Sequence, residues 1–222
     1  MQHPDIFIML LLVMAAALVS QYRSLSRKKF SRELENILRK EQNYEVYRQR
    51  LESPEGKRYF KQPAAALMLL DAAISLERKD TVRQLMEQLD TTRMNSTDFI
   101  NYNMKKLAYG IQIGDAALAE AGWKVLHESR FASYVKKEAD QLYDIYVLHQ
   151  SNHIEELETF AAKVKNPSSK AMAYFRLAKQ YHYRGDREIC TEYLHKAKAV
   201  FPDKTWQGMM DEILKGDYSK LD

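Results

Sequence analysis

Strong backbone breakers are scarce in this chain: 222 residues hold 7 Gly and 5 Pro, roughly half of what average usage of about 7% Gly and 5% Pro would supply. Strands need frequent turns, and turns draw on Gly, Pro, Asn and Asp, so the shortage argues against a β-sandwich or barrel. No GxGxxG or GxxxxGKS/T run occurs, which removes the phosphate cradles of doubly wound nucleotide folds. Cysteine is reduced to one residue, Cys190, so an intrachain disulfide is impossible and a reducing compartment fits. Converging titratable groups are also missing. His149 and His153 stand four apart, a spacing that binds metal on one helix face, but the Ser151-Asn152 turn falls between them. No catalytic residue, metal or cofactor is expected, and the chain reads as a non-enzyme.

One apolar run stands out against this background. Ile6 to Val19 are fourteen consecutive apolar residues, nine of them Leu, Ile, Phe or Val. Extended through Tyr22 they make about 21–26 Å of helix, at the short end for a hydrocarbon core of about 30 Å. Insertion is favoured by a few kcal/mol on the biological scale. No Lys or Arg precedes the run, whereas Arg23, Arg27, Lys28, Lys29 and Arg32 follow it before the next acidic residue, Glu33. The positive-inside rule puts the remainder of the chain in the cytoplasm behind a single-pass anchor at residues 1–22. A secretory signal carries its positive charge before the apolar core, and here it comes after. Cleavage or the reverse topology, giving an exported protein, is the alternative.

Charge is unevenly spread. Residues 22–61 hold 12 Lys and Arg against 6 Asp and Glu, while residues 62–222 hold 22 against 23. The basic residues therefore belong to the juxtamembrane stretch 23–61, where each adds about 1 kcal/mol of attraction to anionic head groups. A near-neutral remainder gives no reason to expect a nucleic-acid partner. Phe30, Leu34, Ile37, Leu38, Tyr44, Tyr47 and Leu51 recur at helical steps, predicting one amphipathic helix over about 30–52. Ser53-Pro54 reads as an N-cap with Pro in the first helical position.

From Gln62 the chain reads as helical pairs. Turn dipeptides Lys79-Asp80, Gly114-Asp115, Ser151-Asn152 and Gly185-Asp186 lie 35, 37 and 34 residues apart, the period of stacked helix–turn–helix units. Asp80, Asp115, Asn152 and Asp186 are placed to cap the helices that follow. Pro63, Ser96-Thr97, Pro167-Ser168 and Pro202-Asp203 mark the boundaries between units. The helices expected are 63–79, 81–90, 97–113, 115–128, 132–149, 152–165, 168–184, 186–200 and 203–215. The last, with Trp206, Met209, Met210, Ile213 and Leu214 on one side, is a cap over the final apolar face.

Residues 171–204 resemble a tetratricopeptide repeat of 34 residues. Tyr174, Leu177, Ala178 and Tyr181 fall on its first-helix positions, Gly185-Asp186 on its turn, Leu194 and Ala197 on its second helix and Pro202 on its closing proline. Cys190 takes a position where Ala is usual, serving as a small apolar residue. Earlier units follow with a turn one residue shorter (Leu69, Ala72, Ala73, Leu76; Leu107, Ala108, Ile111) or longer (Leu142, Tyr143, Tyr146). The resemblance implies an all-α fold, a TPR-like solenoid of about four helical hairpins plus a capping helix over residues 62–222. It further implies that the inner surface of the first helices receives a peptide. By register the inward residues are Met172, Phe175, Lys179 and His182, joined by looser alignment by Asn101, Lys105, Gln141 and Ile145. The Lys and Asn set with which some relatives clamp a terminal carboxylate is not reproduced, so a chaperone-tail role is not expected. The function expected is a non-catalytic, membrane-tethered scaffold for a protein or peptide partner at the cytoplasmic face. Alternatives are an exported protein assisting envelope assembly and, less favoured, a metal-dependent enzyme.

Overall fold

The computed structural model describes residues 21, 22, 24–201 and 203–221. The apolar run at 6–19, with its reading as an anchor, and Arg23 lie outside the described residues. Among those described, every regular element is helical, and none is long and apolar enough to cross a membrane. Two compact units, Met1–Phe99 and Ile100–Asp222, divide the chain inside a single helix.

The first unit carries α1 (residues 24–36), a π turn (Ile37–Glu41), α2 (Tyr44–Glu52), α3 (Pro54–Tyr59), α4 (Ala64–Ser75) and α5 (Lys79–Asp90). The single helix expected over 30–52 is two helices. Gln42 adopts a left-handed φ of 50°, which an α-helix of L-residues cannot pass through. Asn43 then restarts the chain by accepting the Val46 N–H at 3.2 Å, an N-cap. The two helices fold back on each other. Arg50 of α2 lies 4.2 Å from the Phe30 ring centroid and forks onto Glu33 at 2.6 and 2.9 Å. Its hydrogen bonds hold the Glu33 carboxyl below the usual range. Ser53 accepts the Gly56 N–H at 3.1 Å ahead of Pro54, as expected. Packed against α4, α2 forms part of this unit.

Helix α6 (Ser96–Ile113) runs into the second unit, which continues through α7 (Ala116–Glu128), α8 (Ser133–Tyr146), α9 (Ile154–Lys163), α10 (Pro167–Tyr183), α11 (Arg187–Val200), α12 (Lys204–Leu214) and a 3-10 turn (Tyr218–Leu221). From α4 onward the helices fall within a few residues of the expected spans. Asp115 caps α7 by accepting the Leu118 N–H at 2.9 Å. The other three caps do not form. Helix α5 starts from Arg78 and α9 from His153, Asp186 precedes α11 without a side-chain bond, and Asn152 turns to Asp144 at 3.1 Å.

Left-handed backbone recurs on a period of its own. Gln42, Glu77, Gly114, His149, Gly185 and Gly216 have positive φ, at steps of 35, 37, 35, 36 and 31 residues. At Glu77, Gly114 and Gly185 the helix end is the same Schellman motif. Arg78, Asp115 and Asp186 donate to the carbonyls of Ala73, Gly110 and Tyr181, and the left-handed residue itself donates to Ile74, Ile111 or His182. His149 departs from it: Gln150 donates to Asp144, one residue further back. The fold is thus helical and repeat-like, with the pairs α4–α5, α6–α7 and α10–α11 joined by the same turn and α8–α9 by a variant of it.

Close packing in the α6–α7 pair rests on glycine. A Cβ on Gly110 would sit 2.4 Å from the Ala119 nitrogen, and one on Gly122 2.6 Å from the Leu107 nitrogen. Ala108, expected as the small packing residue, is exposed instead. At the end of the unit, Met210 and Ile213 of α12 are buried with Phe175, Cys190 and Leu194. Trp206 stacks on Phe201 at 5.1 Å and meets the Phe175 ring edge-on at 5.6 Å. Helix α12 therefore closes the apolar face of α10 and α11, the role expected of it.

Candidate functional site

Helix α9 is the shortest of the second unit, ten residues against fourteen in α8 and seventeen in α10. Val164 leaves the helix in extended backbone, and Asn166 at once begins α10 by accepting the Ser169 N–H at 2.9 Å, with Pro167 in the first helical position. Packed on α10, this short helix leaves an open groove of about 1120 Å³ against the first half of α8.

Two exposed aromatic rings stand among polar residues at the mouth of the groove (Lys137, Asn152, Glu155, Thr159, Lys163, Ser168), and an ion-paired network lies deeper. Tyr134 and Phe160 stand on the walls 73% and 47% exposed, with half-buried Met172 lining the space as well. Solvating two such rings is unfavourable, so their burial against a ligand is a source of affinity. At the floor Arg176 is 12% exposed and donates to Glu138 at 2.7 Å and to Gln141 at 3.1 Å. Gln141 in turn donates to Glu156 at 2.6 Å, and Lys137 pairs with the same Glu156 oxygen at 3.0 Å. Burial is the largest single influence on the Arg176 guanidinium and lowers its affinity for the proton, but the hydrogen bonds and charges of Glu138 and Tyr146 together outweigh it and the pKa is raised. Burial also raises the neighbouring Tyr146 hydroxyl. The Arg176 Nε is buried without a hydrogen-bond partner, a polar atom left over from an otherwise connected chain of bonds.

Of the residues expected from sequence, the groove brings together Gln141 and Met172. Asn101 is exposed and Lys105 half-buried on α6; neither lines it. Phe175 and Ile145 are buried in the core, with Phe175 committed to Trp206. Lys179 is buried and donates to the Leu221 carbonyl, while His182 stacks on Tyr218 at 6.1 Å. Sequence reasoning missed Tyr134, Glu138, Glu156, Phe160 and Arg176. Arg176 stands four residues after Met172, on the same face of α10, and that spacing was a usable signal. Phe160 had none, because its exposure follows from how α9 ends.

The histidines are engaged separately. His149 stacks on Tyr183 at 4.8 Å, and His153 bonds Asp144 at 2.8 Å. Among the described residues no group of three or more His, Cys, Asp or Glu is placed to hold a metal ion. Cys190 is buried, and burial pushes its thiol up to about 11, which keeps it protonated and unreactive near neutral pH. No protein family, curated protein or solved structure matches the chain.

Proposed function

We propose that the protein is a non-catalytic, membrane-tethered, TPR-like scaffold that binds a protein or peptide partner in the groove between α8, α9 and α10. The observation that carries this reading is the groove itself. Exposed Tyr134 and Phe160 flank half-buried Met172, beside the ion pairs Arg176–Glu138 and Lys137–Glu156. Such a surface favours an apolar side chain presented by an amphipathic segment. Aromatic anchors in a concave site are where binding energy concentrates. The apolar run at 6–19 and the basic residues Arg27, Lys28, Lys29 and Arg32 support tethering at an anionic, cytoplasmic membrane face. Tethering raises the local concentration of a partner in the same membrane, turning a weak contact into an occupied one.

The test is site-specific photo-crosslinking of the full chain in its membrane, with the reactive residue at position 134, 160 or 188. Positions 134 and 160 should yield one shared adduct, and exposed Glu188 on α11 should not. Phe160→Asp should cut the adduct at 134 by about tenfold or more, the loss of one anchor. Equal adducts from all three positions would rule the groove out.

A further inference from the structure

Two basic segments far apart in sequence meet at one end of the first unit. Residues 27–32 on α1 and 57–61 at the end of α3 contain no acidic residue. Aromatic contacts bring them together. The Phe30 ring lies 5.5 Å from that of Tyr59 and 6.1 Å from that of Phe60, and the Arg27 guanidinium sits 5.0 Å from the Phe60 centroid. The acidic residues nearest the two segments, Glu33 and Glu55, are both engaged by one side chain. Arg50 forks onto Glu33 at 2.6 and 2.9 Å and donates to Glu55 at 2.7 Å. Lys29 adds only a longer-range pull on Glu33. Lys28, Lys29, Arg32, Lys57, Arg58 and Lys61 are exposed, and none makes an ion pair with a described residue.

A solvated surface ordinarily intersperses the two signs of charge, and a patch of one sign attracts an opposite partner. Its surroundings indicate which partner fits. Arg27 follows Val19, the end of the apolar run, by only eight positions, so in a tethered chain this end of the unit lies next to the bilayer. Tyr22 and Leu25, just before Arg27, are 72% and 59% exposed. A head-group layer takes up exposed apolar groups and cations together, whereas a polyanion in solution leaves Leu25 in water.

We propose, resting on the membrane-tethered reading, that residues 27–32 and 57–61 form a two-limbed docking surface for anionic phospholipid head groups. Lys57, Arg58 and Lys61 bring the end of α3 onto the bilayer as a contact separate from the tether. One limb beside the apolar run holds the chain near the surface; the second fixes how the first unit is turned toward it.

The test uses the full chain in bilayer nanodiscs of phosphatidylcholine alone or mixed with phosphatidylserine. A Gln62→Cys variant carries a fluorophore at an exposed position next to α3, and buried Cys190 stays unlabelled. Spin-labelled lipid quenches the fluorophore only where it reaches the head-group layer. Phosphatidylserine should raise the docked-to-undocked ratio read from quenching by about tenfold or more, and high salt should reverse the gain. Lys57→Gln, Arg58→Gln and Lys61→Gln together should return quenching in the mixed discs to the level of the neutral ones. Should that triple variant lose its helical circular dichroism, the lipid and salt comparisons on the Gln62→Cys chain decide alone. Equal quenching in both lipids, or quenching unchanged in a folded triple variant, overturns the second limb and leaves the tether standing. Failure of the chain to enter discs of either composition removes the tether and the docking surface with it. Release of the fluorophore from mixed discs by a DNA duplex at equal phosphate concentration would assign the basic end to nucleic acid and overturn the lipid assignment.

Discussion

Glu77 and His149 hold left-handed backbone at the positions where Gly114 and Gly185 stand in the neighbouring hairpins. A side chain in that conformation costs roughly 1–2 kcal/mol, whereas glycine adopts it freely. The two glycine turns were legible in the sequence because glycine announces them. The turn at Glu77 lies two residues before the Lys79-Asp80 pair that the sequence marks, because nothing in a glutamate announces a left-handed residue. Gln42 hid a whole chain reversal for the same reason, and one long helix was read where two are folded together. Opposite substitutions should therefore have opposite signs. Glu77→Gly should stabilise the chain by about 1 kcal/mol, and Gly185→Ala should destabilise it by about 1 kcal/mol or more. Urea unfolding of the two variants measures both. A destabilised Glu77→Gly would mean that its side chain contributes more than the strain it carries.

At the scale of the element, helix ends decide where the groove is. Periodicity located α8, α9 and α10 to within a few residues, but the groove was not legible. It depends on α9 stopping after ten residues and on Asn166 and Pro167 restarting the chain. The inner-face register placed Lys179 and His182 in the ligand surface. It could not show that residues 218–221 lie there, since that contact joins segments about forty positions apart. End caps also bring a pH dependence. Asp203 accepts the N–H groups of Thr205 at 2.7 Å and Trp206 at 3.3 Å, and these bonds hold its carboxyl below its ordinary 3.8. Since the folded value lies below the unfolded one, the cap's contribution is complete above the unfolded value and is lost as pH falls through the folded one. Asp203→Asn keeps an acceptor that does not titrate. Stability measured in urea at pH 6 and at pH 2.5 should fall less in this variant than in the unchanged chain. An equal fall in both would assign the acid sensitivity to other carboxylates.

On the scale of the whole molecule, the fold class was legible because apolar residues every three or four positions need no tertiary information to read. The proposed tether raises a separate matter, which side of the membrane the helical units would occupy, and the flanking charges bear on it. Arg27, Lys28, Lys29 and Arg32 all follow the apolar run, and no Lys or Arg precedes it; translocating that cluster is disfavoured. The lone cysteine makes the placement measurable. Cys190 is fully buried with its thiol pushed up to about 11, so it is silent toward maleimides near neutral pH. A cysteine introduced by Lys124→Cys, at a position whose side chain is 62% exposed on α7, then reports alone. With a membrane-impermeant maleimide, intact cells carrying the full chain should show no labelling until the membrane is opened. Labelling before that step would place α7 outside, overturn the cytoplasmic scaffold and favour the exported alternative, in which a partner in the groove would belong to the envelope.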